Sequence, residues 1–135
     1  MPQQLSFDLA YRYPDDDTGI TIPVILQYGE LSTPTTAKVD CGSELCLFSN
    51  ETAQRLGTSV EDGIPIVLDS LGGPLNAYGH EVVLQVFGLA FYSFVYFAKY
   101  PRLSRNLFGR LGGLRYLKFG LVDYDSMIYL HLYDS

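Results

Sequence analysis

The chain has 135 residues and a formal net charge of −6, with 18% charged and 47% apolar residues, eleven tyrosines and eight phenylalanines. That length suits one domain burying roughly two thirds of the surface its unfolded form exposes, and the low charge and high aromatic content exclude disorder and favour strands over helices. The acidic balance leaves no basic footprint for a phosphate backbone, so nucleic acid is excluded as a direct partner.

Leu5, Phe7, Leu9, Tyr11 and Tyr13 alternate with smaller or polar residues, a period of two that predicts a first strand over Leu5 to Tyr13. Pro14 to Gly19 reads as a polar turn. Its three aspartates make a solvated loop rather than a calcium site, because further ligands at set offsets and a closing Glu are missing. Ile20 to Tyr28 is a second strand in which Pro23 implies an edge position or a bulge. Ser32-Thr33-Pro34-Thr35 is predicted to turn the chain into a short strand, Thr36 to Val39, that ends at Asp40.

Ser49 can cap a helix over Asn50 to Leu56, with Gly57 just past its end. Ile64 to Leu68 and His80 to Phe87 are predicted strands, and the glycine-rich Ser70 to Gly79 between them suggests a mobile hairpin. The apolar stretch Val82 to Ala98 is interrupted by Gln85, Gly88 and Ser93, so it reads as two strands, Val82 to Phe87 and Ala90 to Ala98, and not as a membrane span. Arg105-Asn106-Leu107-Phe108-Gly109-Arg110 is predicted to open a short helix through Lys118, weakened by Gly112 and Gly113. Phe119 to Val122, a turn at Asp123 to Ser126, and Met127 to Tyr133 form a closing hairpin pattern.

Cys41 and Cys46 lie too close together to staple a fold and are read as free thiols. No spacing ties His80 or His131 to either cysteine, so neither a cysteine nucleophile nor a metal site is supported, and no cofactor is expected. The first residues lack a basic start followed by an apolar run, so nothing marks secretion and a cytoplasmic protein is expected.

The stretch from Ala37 to Ser49 carries the chemistry. An apolar strand stops at Asp40, turns at Gly42, and re-enters an apolar run before the helix cap. Asp-x-Gly is ordinary turn chemistry. It is equally a way to hold a half-buried carboxylate at the end of a β-rich core, with a glycine that lets the backbone come close behind it.

Three segments in this order, Asp40-Cys41-Gly42-Ser43, the glycine-rich hairpin around Leu71 to Gly79, and Leu107-Phe108-Gly109-Arg110, resemble the retropepsin-like aspartic proteases, particularly their small single-domain bacterial members. The resemblance covers roughly Ile20 to Leu132. It implies an all-β chain forming one domain over 1–135, a closed half-barrel of about six strands with one or two short helices, working as a homodimer with the site on the two-fold axis. The chain holds a single Asp-x-Gly of this kind, whereas aspartic proteases in general use two carboxylates a few Å apart that share one proton.

The resemblance also implies roles. Asp40 is the catalytic carboxylate, in a loop continued by Cys41, Gly42 and Ser43. Gly42 leaves room for the substrate backbone. Leu71, Gly72, Gly73, Pro74 and Leu75 belong to a flap that closes over an extended peptide. Leu107 and Phe108 line the cleft, Gly109 and Arg110 support it, and an Arg110–Glu44 ion pair braces the site or the dimer.

Two departures stand out. Cys41 replaces a Thr or Ser whose hydroxyl links the two active-site loops across the axis, and a thiol bonds more weakly. Phe108 is bulkier than the usual aliphatic residue and either narrows the cleft or packs as core. The expected function is therefore an aspartic endopeptidase acting on peptides or proteins. The alternative is a catalytically impaired module of the same fold that dimerises or binds peptides. A small β-barrel holding an apolar ligand fits the composition but leaves the Asp40 turn and the glycine-rich hairpin as coincidences. No membrane partner is expected.

Overall fold

A computed structural model describes residues 4–70, 72–101 and 105–134. Strands β1 (Leu9–Arg12), β2 (Thr21–Tyr28) and β3 (Leu31–Val39) come first, followed by β4 (Leu47–Phe48) and helix α1 (Asn50–Arg55). Then follow β5 (Ile64–Ser70), β6 (Gly73–Val86), β7 (Leu89–Ala98), β8 (Leu107–Phe108), β9 (Leu117–Val122) and β10 (Met127–Leu132).

The larger sheet has the order β2-β3-β8-β4-β7-β6-β5. A further antiparallel pairing of β2 with β6, from Ile25↔Gln85 to Gln27↔Val83, closes six of these strands into a barrel. β6 makes this possible by its length of 14 residues, since its first half carries β5 and its second half carries β2. The turn between β6 and β7 places Phe87 and Gly88 at positive φ, the conformation a two-residue hairpin of matching twist requires. Pro65 lies in β5, the edge strand, where a missing N–H is tolerated. Pro23 sits beyond the short stretch of β2 that pairs with β6, in accord with its expected edge position.

A smaller sheet, β1-β10-β9, packs its buried Ile128 and Leu130 into the same core as Ile22, Leu26, Leu84 and Phe97 of the barrel. Burying each such side chain stabilises the fold by about 1.5–3 kcal/mol. Helix α1 adds Ala53 and Leu56 to this core. Ser49 caps it by accepting from the Thr52 N–H, and Gly57 follows at φ +70°, as the sequence indicates. Among the described residues no helix is long and apolar enough to cross a membrane.

Three expectations are corrected. Ser32 to Thr35 are not a turn but part of β3, because Gly29, at φ +60°, makes the two-residue turn with Glu30 and leaves Tyr28 paired with Leu31. The helix through Lys118 is a single 3₁₀ turn, Leu114–Tyr116; Gly112 at φ +91° breaks the helical path, and pairing with β10 takes the chain from Leu117 onward. The first strand pairs only over Leu9–Arg12.

Candidate active site

β3 delivers Asp40 to the end of the barrel, and β8 holds it there. β8 enters between β3 and β4, parallel to β3 through Lys38↔Leu107 and Val39↔Phe108 and opposite β4 at Leu47↔Leu107. The Asp40 N–H donates to the Phe108 carbonyl at 3.1 Å, and the Val39 N–H to the Ile20 carbonyl at 2.8 Å. Asp40 is half-buried, and its Oδ1 accepts the Gly42 N–H at 2.9 Å. The Ser43 N–H reaches back to the Asp40 carbonyl at 3.2 Å, and the Ser43 hydroxyl donates to the Leu45 carbonyl at 2.8 Å. These bonds fix the direction of the carboxylate.

The loop is bolted to the segment after β8. Arg110 N–H donates to the Ser43 carbonyl at 3.0 Å, and Leu111 N–H to the Glu44 carbonyl at 2.7 Å. Gly109 is required here, because a Cβ would stand 2.1 Å from the Leu45 carbonyl oxygen. Behind it the buried Cys46 thiol lies 3.9 Å from the Gly109 carbonyl, and burial pushes that thiol up to about 11 in spite of this contact. Cys41 is exposed, and both cysteines are free. Cys41, Arg110, Leu114 and Arg115 line a hollow beside the Asp40 loop.

β5 and β6 form the expected glycine-rich hairpin, paired out to Ser70↔Gly73. Gly72 lies at its turn, and Gly73, Pro74 and Leu75 begin the long strand β6; Leu71 lies outside the described residues. Ile64 and Val67 are each 63% exposed, so β5 rides on the barrel without being packed into it. A cavity of about 400 Å³ has walls from the loop, β5, β7 and the segment after β8: Leu45, Ile66, Phe94, Tyr96, Leu111 and Tyr116, with the charged Glu44 and Arg115 beside them.

Two expectations about this site change. Phe108 is fully buried and belongs to the core, so it does not line the cleft, whereas Leu107 is half-buried. The Arg110–Glu44 ion pair is not formed within the protomer. Among the described residues the only pair of fixed charges in contact is Arg55–Glu51, and the two segments are joined through backbone atoms instead. Sequence reasoning also missed Asn106. Its Oδ1 accepts the Ser49 N–H at 2.9 Å, and its Nδ2 donates to Thr35 Oγ1 at 2.8 Å and to the Thr36 carbonyl at 3.0 Å. One side chain thereby ties β3 to the start of α1. The only signal was a polar amide directly ahead of an apolar strand.

The site is thus an Asp-x-Gly loop at one end of a closed β-barrel, braced by a glycine distant in sequence. Solved structures match the fold. A retropepsin-like aspartic protease from Rickettsia conorii aligns with a TM-score of 0.65 and 16% identity, covering 91% of this chain and 97% of its own. The EIAV protease complexed with the inhibitor HBY-793 aligns with a TM-score of 0.55 and 17% identity, covering 72% and 86% respectively. No protein-family model and no curated protein matches the sequence. The chain thus has the retropepsin-like fold.

Proposed function

We propose that the chain is an aspartic endopeptidase, with one Asp40 from each of two copies forming the catalytic pair. The observation that supports this most is the Asp40 loop: a half-buried carboxylate aimed by the Gly42 N–H and locked by backbone bonds to the Gly109 segment. One protomer supplies one such carboxylate, and the chemistry uses two that share a proton. The ionised member takes a proton from a bound water, whose oxygen attacks the scissile carbonyl. The protonated member gives its proton to the carbonyl oxygen; as it takes that proton back and the carbonyl re-forms, the proton removed from the water passes to the amide nitrogen and the C–N bond breaks. An extended peptide lies between the loop and the flap, adding to a sheet edge, and the apolar cavity walls favour bulky hydrophobic side chains. Two free thiols suit a reducing compartment, which supports a cytoplasmic setting.

The test is cleavage of an unbiased peptide library across ~pH 3 to 7, where coupled carboxylates titrate, by the reduced protein and by Asp40→Asn. Cleavage that disappears in the variant supports the peptidase.

One observation favours a second reading. Cys41 is exposed at the loop that a second copy must approach, and its thiol is a weak substitute for a linking hydroxyl. A folded dimer that cleaves nothing, and gains cleavage in Cys41→Thr, is a binding or dimerisation module impaired at this one residue.

A further inference from the structure

We infer that a second cavity, on the outer wall of the barrel, binds a lysine or arginine side chain of the substrate polypeptide, away from the cleaved bond. This rests on the peptidase reading above and adds a binding site to it.

The cavity, of about 580 Å³, is larger than the one beside the Asp40 loop, and its size lies in the range of ligand sites. Its floor follows from strand alternation. In β6 the buried Val82, Leu84 and Val86 face the core, which turns Glu81 and Val83 outward. In β7 the buried Ser93, Val95 and Phe97 do the same for Tyr92, Phe94 and Tyr96. Register then sets Gln27, Val83 and Tyr92 side by side across β2, β6 and β7, with Glu81 directly opposite Phe94. Tyr28, at the end of β2, and Tyr116 complete the walls.

These walls are held in place before any ligand arrives. The Phe94 ring occupies the space that a side chain at Gly79 would fill, since a Cβ there would stand 2.3 Å from it. Tyr116 stacks on Phe91 with ring centres 4.8 Å apart. The Ser93 hydroxyl donates to the Gly112 carbonyl at 2.6 Å, tying the segment that leads to Tyr116 onto β7. The aromatic faces are nevertheless left open, with Tyr92 85%, Tyr28 43% and Tyr116 40% exposed.

Two observations choose the occupant. Among the described residues that line the cavity Glu81 alone is charged, and no described basic side chain pairs with it. Aromatic faces around one unpaired carboxylate attract a cation and reject an anion. In addition, Phe94 and Tyr116 line both cavities, so the two are joined along β7. At ~3.3 Å per residue, the step from Tyr96 to Tyr92 carries the second cavity ~13 Å further from the Asp40 loop, or about four residues of an extended substrate. A peptide seated in the smaller cavity reaches the larger one with its flanking residues.

Two measurements test this. Acetyl-Ala-Arg-Ala-amide and its neutral citrulline counterpart are titrated into the full chain and into Glu81→Gln, with backbone amide shifts read by NMR. The arginine peptide is expected to move Gly29, Glu81 and Tyr92, and to bind roughly fivefold tighter than the citrulline peptide. Glu81→Gln erases that difference, and Tyr92→Ala weakens binding of the arginine peptide; both residues are exposed, so both variants keep the fold. Equal binding of the two peptides, or shifts elsewhere, overturns the site. The same shifts produced by raising the protein concentration alone would place a second copy on this face and also overturn it. In cleavage assays, substrates carrying arginine about four or more residues from the cut bond are expected to show a KM roughly fivefold below that of their citrulline counterparts, with kcat unchanged. Asp40-dependent cleavage that ignores arginine at every position overturns this site alone. Arginine binding at these residues by a chain that cleaves nothing upholds the cation site and overturns the peptidase reading instead.

Discussion

A Cβ on Gly109 would stand 2.1 Å from the carbonyl oxygen of Leu45, so the Asp40 loop and the segment after β8 touch backbone to backbone. No side chain of either segment can shift to make room. Gly109→Ala is expected to lower stability by about 1–3 kcal/mol, the usual range for overpacking, and to abolish cleavage by displacing the loop. A control is Gly72→Ala at the turn between β5 and β6, where nothing lies within 4 Å of the added methyl. It should stay within ~0.5 kcal/mol of the wild type. Urea midpoints on the two variants check both.

Asn106 is the second brace. Asn106→Ala removes three hydrogen bonds that join β3 to the α1 cap, and at roughly 0.5–1.5 kcal/mol for each net bond the expected loss is about 1.5–4.5 kcal/mol. Asn106→Asp keeps the acceptor for the Ser49 N–H but turns a carboxylate oxygen towards the Thr36 carbonyl. Thermal melts should therefore show Asn106→Asp also destabilised, and more so at neutral than at acid pH. Equal melting of all three proteins would remove Asn106 from the account.

The two thiols should separate chemically. Cys46 is fully buried and its thiol is pushed up to about 11 by burial, whereas Cys41 is exposed. Thiolate is the reactive form, so alkylation of the folded protein near pH 8 is expected to modify Cys41 alone, with Cys46 following only in denaturant. Peptide mapping of the alkylated chain reads this directly. If the two Cys41 residues meet at the axis, mild oxidation also yields a chain dimer of doubled mass under non-reducing conditions.

Alkaline stability should depend on Tyr13. Burial first, then the hydrogen bond to Asp123 and the charges of Asp123 and Asp15, raise Tyr13 from its ordinary 10.0 to about 12. The folded chain therefore holds this proton more tightly than the unfolded chain does. The contribution is complete below pH 10 and is lost as the pH rises from 10 to 12. Tyr13→Phe cannot ionise and should flatten that part of the stability profile. Denaturant midpoints at closely spaced pH values would show the same alkaline slope in both proteins if Tyr13 were not responsible.

Local features were legible because their signals are local. Alternation marked β1; the interruptions in the apolar stretch Val82 to Ala98 marked β6 and β7; Ser49 and Gly57 bracketed α1; and Asp40-x-Gly42 marked the loop. The turn at Gly29 was hidden by a more conspicuous Ser, Thr and Pro cluster that pairs quietly in β3. Phe108 could not be assigned to core or cleft, since a two-residue strand has no periodicity to read, and only the insertion of β8 between β3 and β4 turns its ring inward. Barrel closure through β2 and β6, and the contact of Gly109 with Leu45, join residues far apart in the chain, and no local pattern encodes such distances.

The most direct test of a site built from two Asp40 residues is a mixing experiment. Wild-type protein is dissociated, combined with Asp40→Asn in varied proportions, reassociated and assayed for peptide cleavage. If each dimer needs both carboxylates, activity falls as the square of the wild-type fraction, to about a quarter in an equal mixture, as random two-fold pairing requires. Activity that falls in simple proportion would show that one Asp40 suffices, and would contradict the shared site.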